Sequence, residues 1–239
     1  MKHSFEQSIA RTLGLALMLC LATTVSLAQG GSNKRTKDAQ RHASAAAKVF
    51  NEIMGVREQM IPRELLDKAE AIAVFPGVVK AAFIVGGRGG QGVISRRVPG
   101  GWSAPAFFNL GGGSVGLQIG AQKTDYIMLI MNEAGIKGLM EDKFERGGEA
   151  SVAAGPVGRE AAASTNATLD AGILSYSRSK GAFAGIALKG AVISPDNDLN
   201  EAIYEGKKGS QVLESERNMR EMPAAVRIFP ATLARYSKR

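Results

Sequence analysis

Two glycine clusters set the terms on which this chain can fold: GGRGGQG at 86–92 and GGGSVG at 111–116. Both satisfy the GxGxxG spacing, the first through Gly87, Gly89 and Gly92, the second through Gly111, Gly113 and Gly116. A dinucleotide-binding turn needs a strand before the first glycine, a helix opening at the third, and an acidic residue about twenty positions on. AAFIV supplies the strand. Gly92 is succeeded by Val93-Ile94-Ser95-Arg96-Arg97-Val98, a β-branched run, and the next carboxylate is Asp125. The second cluster continues as GSVGLQIGAQ, which alternates as a strand does. The glycines therefore read as serving a backbone that bends, bulges or comes close to another segment, as a strongly curved sheet requires. The spacing predicts GGRGGQG as the turn of a β-hairpin, with Arg88 at its tip and Val85 and Val93 in neighbouring antiparallel strands.

The remaining text supports a β-rich domain. Between Arg97 and Lys123 lie 25 uncharged residues, long enough to raise a membrane-spanning helix. Seven glycines with Pro99 and Pro105 in that stretch exclude one. AIAVFPGVV and KAAFIVGG read as strands, and YIMLIM at 126–131 as a strand buried on both faces. EASVAAGPVGRE and ATLDAGILSYSR predict further strands, with Ser179-Lys180-Gly181 turning into AFAGIALKGAVIS. Helical spacing marks an amphipathic helix over 41–60, stopped near Pro62, then short helices in RELLDKAE and around Ile136, Leu139, Met140 and Phe144. DNDLNEAIYEG starts as a helix with Asp196 or Asn197 as its cap. The fold class is α+β: a strongly curved antiparallel β-sheet or barrel-like sandwich with flanking amphipathic helices.

Residues 1–28 carry Lys2 and Arg11, an apolar run from Leu13 to Ala22, and Ser26-Leu27-Ala28, the pattern of a cleaved secretory signal. A lipoprotein signal at Cys20 and an uncleaved anchor are the alternatives; the bulky Leu19 argues against the first and the short apolar run against the second. Residues 29–40 read as a flexible polar lead-in, 41–206 as the domain, and 207–239 as a charged, mostly helical tail. Removing the signal leaves no cysteine, His42 as the one histidine, and a net charge of +7. Disulfides, thiolate catalysis and Cys/His metal sites are thereby excluded. The positive charge suits anionic partners; export favours phospholipid over nucleic acid.

No catalytic constellation emerges. Glu141, Asp142, Glu145 and Glu149 alternate with Lys143 and Arg146, as on a solvated helix face. Ser95, Ser114 and Ser175 lack a GxSxG context, and Asp196, Asn197 and Asp198 lack calcium-loop spacing. Trp102, beside Phe107 and Phe108, either packs in the core or dips into a membrane interface.

The strings AVFPGVVKAAFIVGGRGGQGV, WSAPAFFNLGGGSVGLQIGAQKTDYIMLIMN, SVAAGPVGREA and ILSYSRSKGAFAGIALKGAVISPD together resemble the SYLF domain family, over roughly Ala43 to Tyr204. That resemblance implies a non-enzymatic lipid-binding module without cofactor or metal. Eukaryotic members are associated with phosphoinositides and actin, and a basic amphipathic N-terminal helix is credited with the lipid contact. The matching helix here offers Arg41, Lys48 and Arg57 to anionic headgroups, with Phe50, Met54 and Trp102 for apolar contact. An exported, periplasmic or extracellular member would meet anionic phospholipid or an envelope protein rather than actin. A structural protein-interaction role without lipid, and a small-ligand binder using the glycine-rich turns, are the rival readings.

Overall fold

The computed structural model describes residues 33–56, 60–82, 85–115, 120–140, 152–158, 171–188, 190–215 and 221–237. The expected signal segment lies outside them. Helix α1 is described over 33–54 and α2 spans Arg63–Lys68. Next come strands β1 (Ala71–Ala82), β2 (Val85–Val98), β3 (Gly101–Trp102), β4 (Ala106–Val115) and β5 (Gly120–Ile130), then α3 (Glu133–Met140). After these come β6 (Val152–Ala154), β7 (Ile173–Ser179), β8 (Ala182–Gly185) and β9 (Val192–Pro195), then α4 (Asn197–Ile203), α5 (Gly209–Glu214), a 3₁₀ turn and α6 (Ile228–Tyr236).

All nine strands join one sheet in the order β6-β7-β5-β1-β2-β4-β9, with β3 on β2 and β8 on β7. Pairing is antiparallel except between β6 and β7. Chain length forces the sheet to curl. β8 and β9 sit at opposite edges, six strand spacings or about 29 Å apart if the sheet were flat. The chain from Gly185 to Val192 spans about 24 Å at most, so the edges bend toward each other into a half-barrel. The expected single strand AFAGIALKGAVIS is accordingly two strands on two edges, while the Lys180-Gly181 turn forms the expected β7–β8 hairpin.

The glycine-rich segment departs from its expected geometry. Val85 and Val93 lie in the same strand, and GGRGGQG forms the first half of β2 rather than a turn. AIAVFPGVV runs on through Lys80–Ala82 of KAAFIVGG as one strand, β1, whose register shifts at a bulge holding Pro76 and Gly77, while Val85-Gly86-Gly87 of the same string open β2. No helix opens at Gly92, so the dinucleotide geometry is absent. The reason for glycine here is close approach: a Cβ on Gly92 would overlap the Val74 carbonyl and the Phe75 ring, and one on Gly90 would lie 2.7 Å from Val78 Cγ2. On β4, Gly112 adopts φ +153° against the Gly190 carbonyl, a conformation side chains disfavour.

Helix α1 also differs from expectation. It is already helical at 33, inside the segment read as a polar lead-in, and ends at 54 instead of 60. Its charged first turns are good helix formers, and Ala39 and Ala43 extend the buried stripe of Ala46, Ala47, Phe50, Ile53 and Met54 backward. Gly55 ends it, donating its N–H to the Asn51 carbonyl at 2.9 Å. The segment read as a charged tail is packed in: Val212, Leu213, Phe229 and Leu233 are fully buried. Tyr126 to Ile130 of β5 are buried on both faces, as their apolar run predicts.

Candidate functional site

The sequence-predicted site residues separate into two environments. Arg41 and Lys48 project from the outer face of α1, their side chains 68% and 77% exposed. At 100° per residue, Lys34, Lys37, Arg41 and Lys48 share an arc of about 60°, forming one basic ridge about 21 Å long. Two carboxylates temper it: Arg41 bridges Asp38 at 3.1 Å and Lys48 approaches Glu52 at 3.9 Å. Lys34 and Lys37, read from the sequence as part of a polar run, join the ridge because the helix starts earlier than its apolar pattern indicates. Arg57 lies outside the described residues.

Phe50, Met54 and Trp102 are elsewhere. Phe50 is fully buried and meets the Tyr236 ring edge-on, with centroids 5.9 Å apart. Met54 is buried in the same core. Trp102 is 3% exposed, donates Nε1–H to Ser237 Oγ at 3.1 Å, and carries the Arg97 guanidinium over its ring at 4.1 Å. These three side chains hold α1 and the C-terminal helix to the sheet, and in this conformation none reaches a membrane.

Two anchors fix α1 in place. Near its start, Arg35 Nη1 donates to the Asp198 carbonyl at 2.6 Å. Near its end, Glu52 accepts from Arg178 Nη1 at 2.6 Å, and Arg178 also bridges Asp125 at 2.8 Å. Asp125 in turn accepts from the backbone N–H of Gly77 at the β1 bulge, 2.7 Å. Desolvation lowers the Arg178 pKa, but hydrogen bonds to Glu52 and Asp125 outweigh it and leave it raised.

Between α1 and the β9–α4 junction lies a cleft of about 190 Å³, lined by Arg35, Asp38, Arg41, His42, Asp196 and Asp198 among others. Its bases and acids are balanced, and most are committed. Asp196 caps α4 by accepting from Leu199 N–H at 3.2 Å, as its sequence position predicts, and accepts from Gln91 Nε2 at 3.2 Å. His42 packs edge-on against Phe107. Burial, then the neighbouring Arg41, lowers its pKa, against smaller raising effects of Asp38 and Asp196.

Hydrolytic chemistry finds no support in these contacts. Ser95 and Ser175 are fully buried, and their hydroxyls have no hydrogen-bond partner among the described residues. The acidic group from Glu141 to Glu149 lies outside the described residues. Among the described residues no cluster of three His, Cys, Asp or Glu could hold a metal ion, and no helix is long and apolar enough to cross a membrane.

Residues 111–236 match the family described as "Ysc84: Las17-binding protein actin regulator". The chain is 33% identical over 210 residues to LAS seventeen-binding protein 3 of Saccharomyces cerevisiae, covering 84% of this chain and 45% of that protein. The chain belongs to the Ysc84, or SYLF, family. Protein YSC84 of the same yeast is 34% identical over 206 residues, covering 82% of this chain and 43% of the relative. SH3 domain-containing YSC84-like protein 1 of Xenopus laevis is 32% identical over 172 residues, 70% of this chain and 51% of the relative. The chain thus spans about half the length of the curated relatives it matches. One of these relatives is named for binding and another for an SH3 domain. The match extends through α5 and α6, so the C-terminal helices fall within the family's domain.

Proposed function

We propose that the protein is a non-enzymatic module that holds to anionic membrane surfaces through the basic outer ridge of α1. The single observation behind this reading is the alignment of Lys34, Lys37, Arg41 and Lys48 on the exposed side of a helix whose other side is core. Energetics decide the mode of contact. Burying Val49, Phe50, Ile53 and Met54 contributes about 1.5–3 kcal/mol each, on the order of 10 kcal/mol together, which rivals the whole stability of an ordinary domain, about 5–15 kcal/mol. A membrane that drew α1 out to insert its apolar face would have to replace that. A surface that touches only the ridge costs nothing in packing and gains about 1 kcal/mol per basic residue near anionic lipid. The contact is therefore electrostatic, peripheral and reversible.

Sedimentation with phosphatidylserine-containing and pure phosphatidylcholine vesicles tests the reading. Pelleting should require the anionic lipid, fall as salt rises from about 0.05 to 0.5 M, and drop at least tenfold in a Lys37→Glu/Arg41→Glu/Lys48→Glu variant. Equal pelleting of that variant would refute it. An exported location is part of the proposal, resting on the pattern of residues 1–28, and fractionation of cells expressing the whole reading frame checks it.

A second reading, binding a protein partner without lipid, is favoured by the family description, which specifies Las17 binding and actin regulation, and by the name of one yeast relative, LAS seventeen-binding protein 3. The comparisons thus point toward a class of partner that the reading as an exported protein argues against. Retention by a protein partner in detergent, with no vesicle binding, would favour this alternative.

A further inference from the structure

Helix α1 covers only part of the sheet face on which it lies. Along that face the ladder sets Gly111, Gly89, Val79 and Lys123 in one row, and Gly113, Gly87, Ala81 and Ala121 in the next. The adjoining row on the α1 side contains Gln91, which lines the cleft with Arg41, and Asp125 paired with Arg178, which holds Glu52. Beyond it no described residue covers the face. Val79 is 41% exposed, Ala81, Gly87, Gly89 and Gly113 are exposed, and a Cβ built on Gly89, Gly111 or Gly113 would meet nothing within 4 Å.

That face has a shape and a charge. Its floor spans β4, β2, β1 and β5, about 14 Å across, and α1 rises beside it as a wall about 10 Å high. A second helix of about three turns laid along α1 would complete the layer, and a floor without long side chains lets a helix backbone come close. The rim is cationic at one end. Lys123 lies at the far end of the Val79 row, and Lys180 sits in the β7–β8 turn beside it, where Ser179 Oγ donates to the Lys123 carbonyl at 3.4 Å. Neither Lys123 nor Lys180 forms an ion pair among the described residues.

We infer that this trough is a docking site for an amphipathic helix of a partner protein, with a small-to-medium apolar face toward Val79, Ala81 and the glycines, and acidic residues at the end that meets Lys123 and Lys180. The site is separate from the ridge proposed for lipid, whose cations face outward along α1.

Selection from a displayed library of 18-residue helices against the full chain tests the inference. Enriched sequences should carry apolar residues at i, i+3, i+4 and i+7 with Asp or Glu at one end. They should bind at least tenfold more weakly to two variants, Gly89→Leu and Lys123→Glu/Lys180→Glu. Gly89→Leu fills the floor without steric conflict, so its melting temperature and its pelleting with phosphatidylserine vesicles should match those of the parent. Enrichment of helices lacking an acidic end, or equal binding to parent and variants, overturns the inference. Loss of vesicle pelleting in Gly89→Leu would assign the floor to the membrane, and loss of a parental dimer on sedimentation would assign it to a second copy; either overturns it. Failure of the triple ridge variant to weaken vesicle binding, with peptide docking intact, would count against the lipid reading alone.

Discussion

Asn200 shows how much one side chain can carry in this fold. It is fully buried, its Oδ1 accepts from the Phe107 N–H at 2.8 Å and its Nδ2 donates to the Phe107 carbonyl at 2.9 Å. The amide thus pairs with the start of β4 as a neighbouring strand would, just beyond the end of the β9 ladder. Asn200→Leu leaves the Phe107 N–H without a partner in the interior, while the Phe107 carbonyl keeps the Asp196 N–H at 2.9 Å, and should cost about 2 kcal/mol, within the range of about 1–3 kcal/mol for an orphaned group. Urea denaturation reads it, and a loss below about 1 kcal/mol would mean that the strand finds other partners. In the sequence Asn200 is one more polar residue on a helix with three apolar ones, and nothing local sets it apart.

At the scale of elements, the union of α1 with the sheet decides what the helix can do. Arg178 is the link, shared between Glu52 on α1 and Asp125 beside the β1 bulge. Arg178→Met keeps much of the side chain's bulk, removes the charge, and leaves Asp125 half-buried with only the Gly77 N–H. The expected cost is about 2 kcal/mol, the range of charge-assisted hydrogen bonds at a partly exposed site, with hydrogen exchange rising first in the second half of α1. Unchanged exchange there would show that apolar packing alone holds the helix. The amphipathic pattern of α1 is legible from Ala46 onward, and its apolar half is where the pattern places it. Its start is not legible, because residues 33–38 are polar on every side and only a buried Ala39 and Ala43, small and easily overlooked, tie them to the core.

For the whole molecule, His42 couples α1, β4 and the β9–α4 junction, since it packs on Phe107 with Arg41, Asp38 and Asp196 around it. Its pKa in the fold is lowered, first by burial and then by Arg41. The unfolded chain therefore takes up the proton before the folded one does. The stability tied to neutral His42 is fully present above the ordinary imidazole value of about 6.5, and is lost as pH falls from there through the lowered pKa. His42→Gln should flatten the thermal stability profile between about pH 7 and 5 compared with the parent, and an unchanged slope would remove His42 as its source.

Composition and local pattern by themselves determined the class of this protein. Alternation and β-branched runs dictated strands, helical spacing dictated the flanking helices, and the ordered motifs carried the family. The residue types left little material for thiol or imidazole catalysis. Tertiary structure alone decided where the glycines go and which face of each helix is free. GGRGGQG is compatible with a tight turn or with a curled strand, and the choice falls to the segments outside it: β1 presses against Gly90 and Gly92, and the chain before β9 presses against Gly112 of the neighbouring β4. Phe50, Met54 and Trp102 look equally suited to a membrane or a core, because apolar side chains leave water for either. Only the closing of the half-barrel, with α1 and the C-terminal helix against it, puts them inside and leaves the lysines, the arginines and a stretch of sheet beside α1 to meet other molecules.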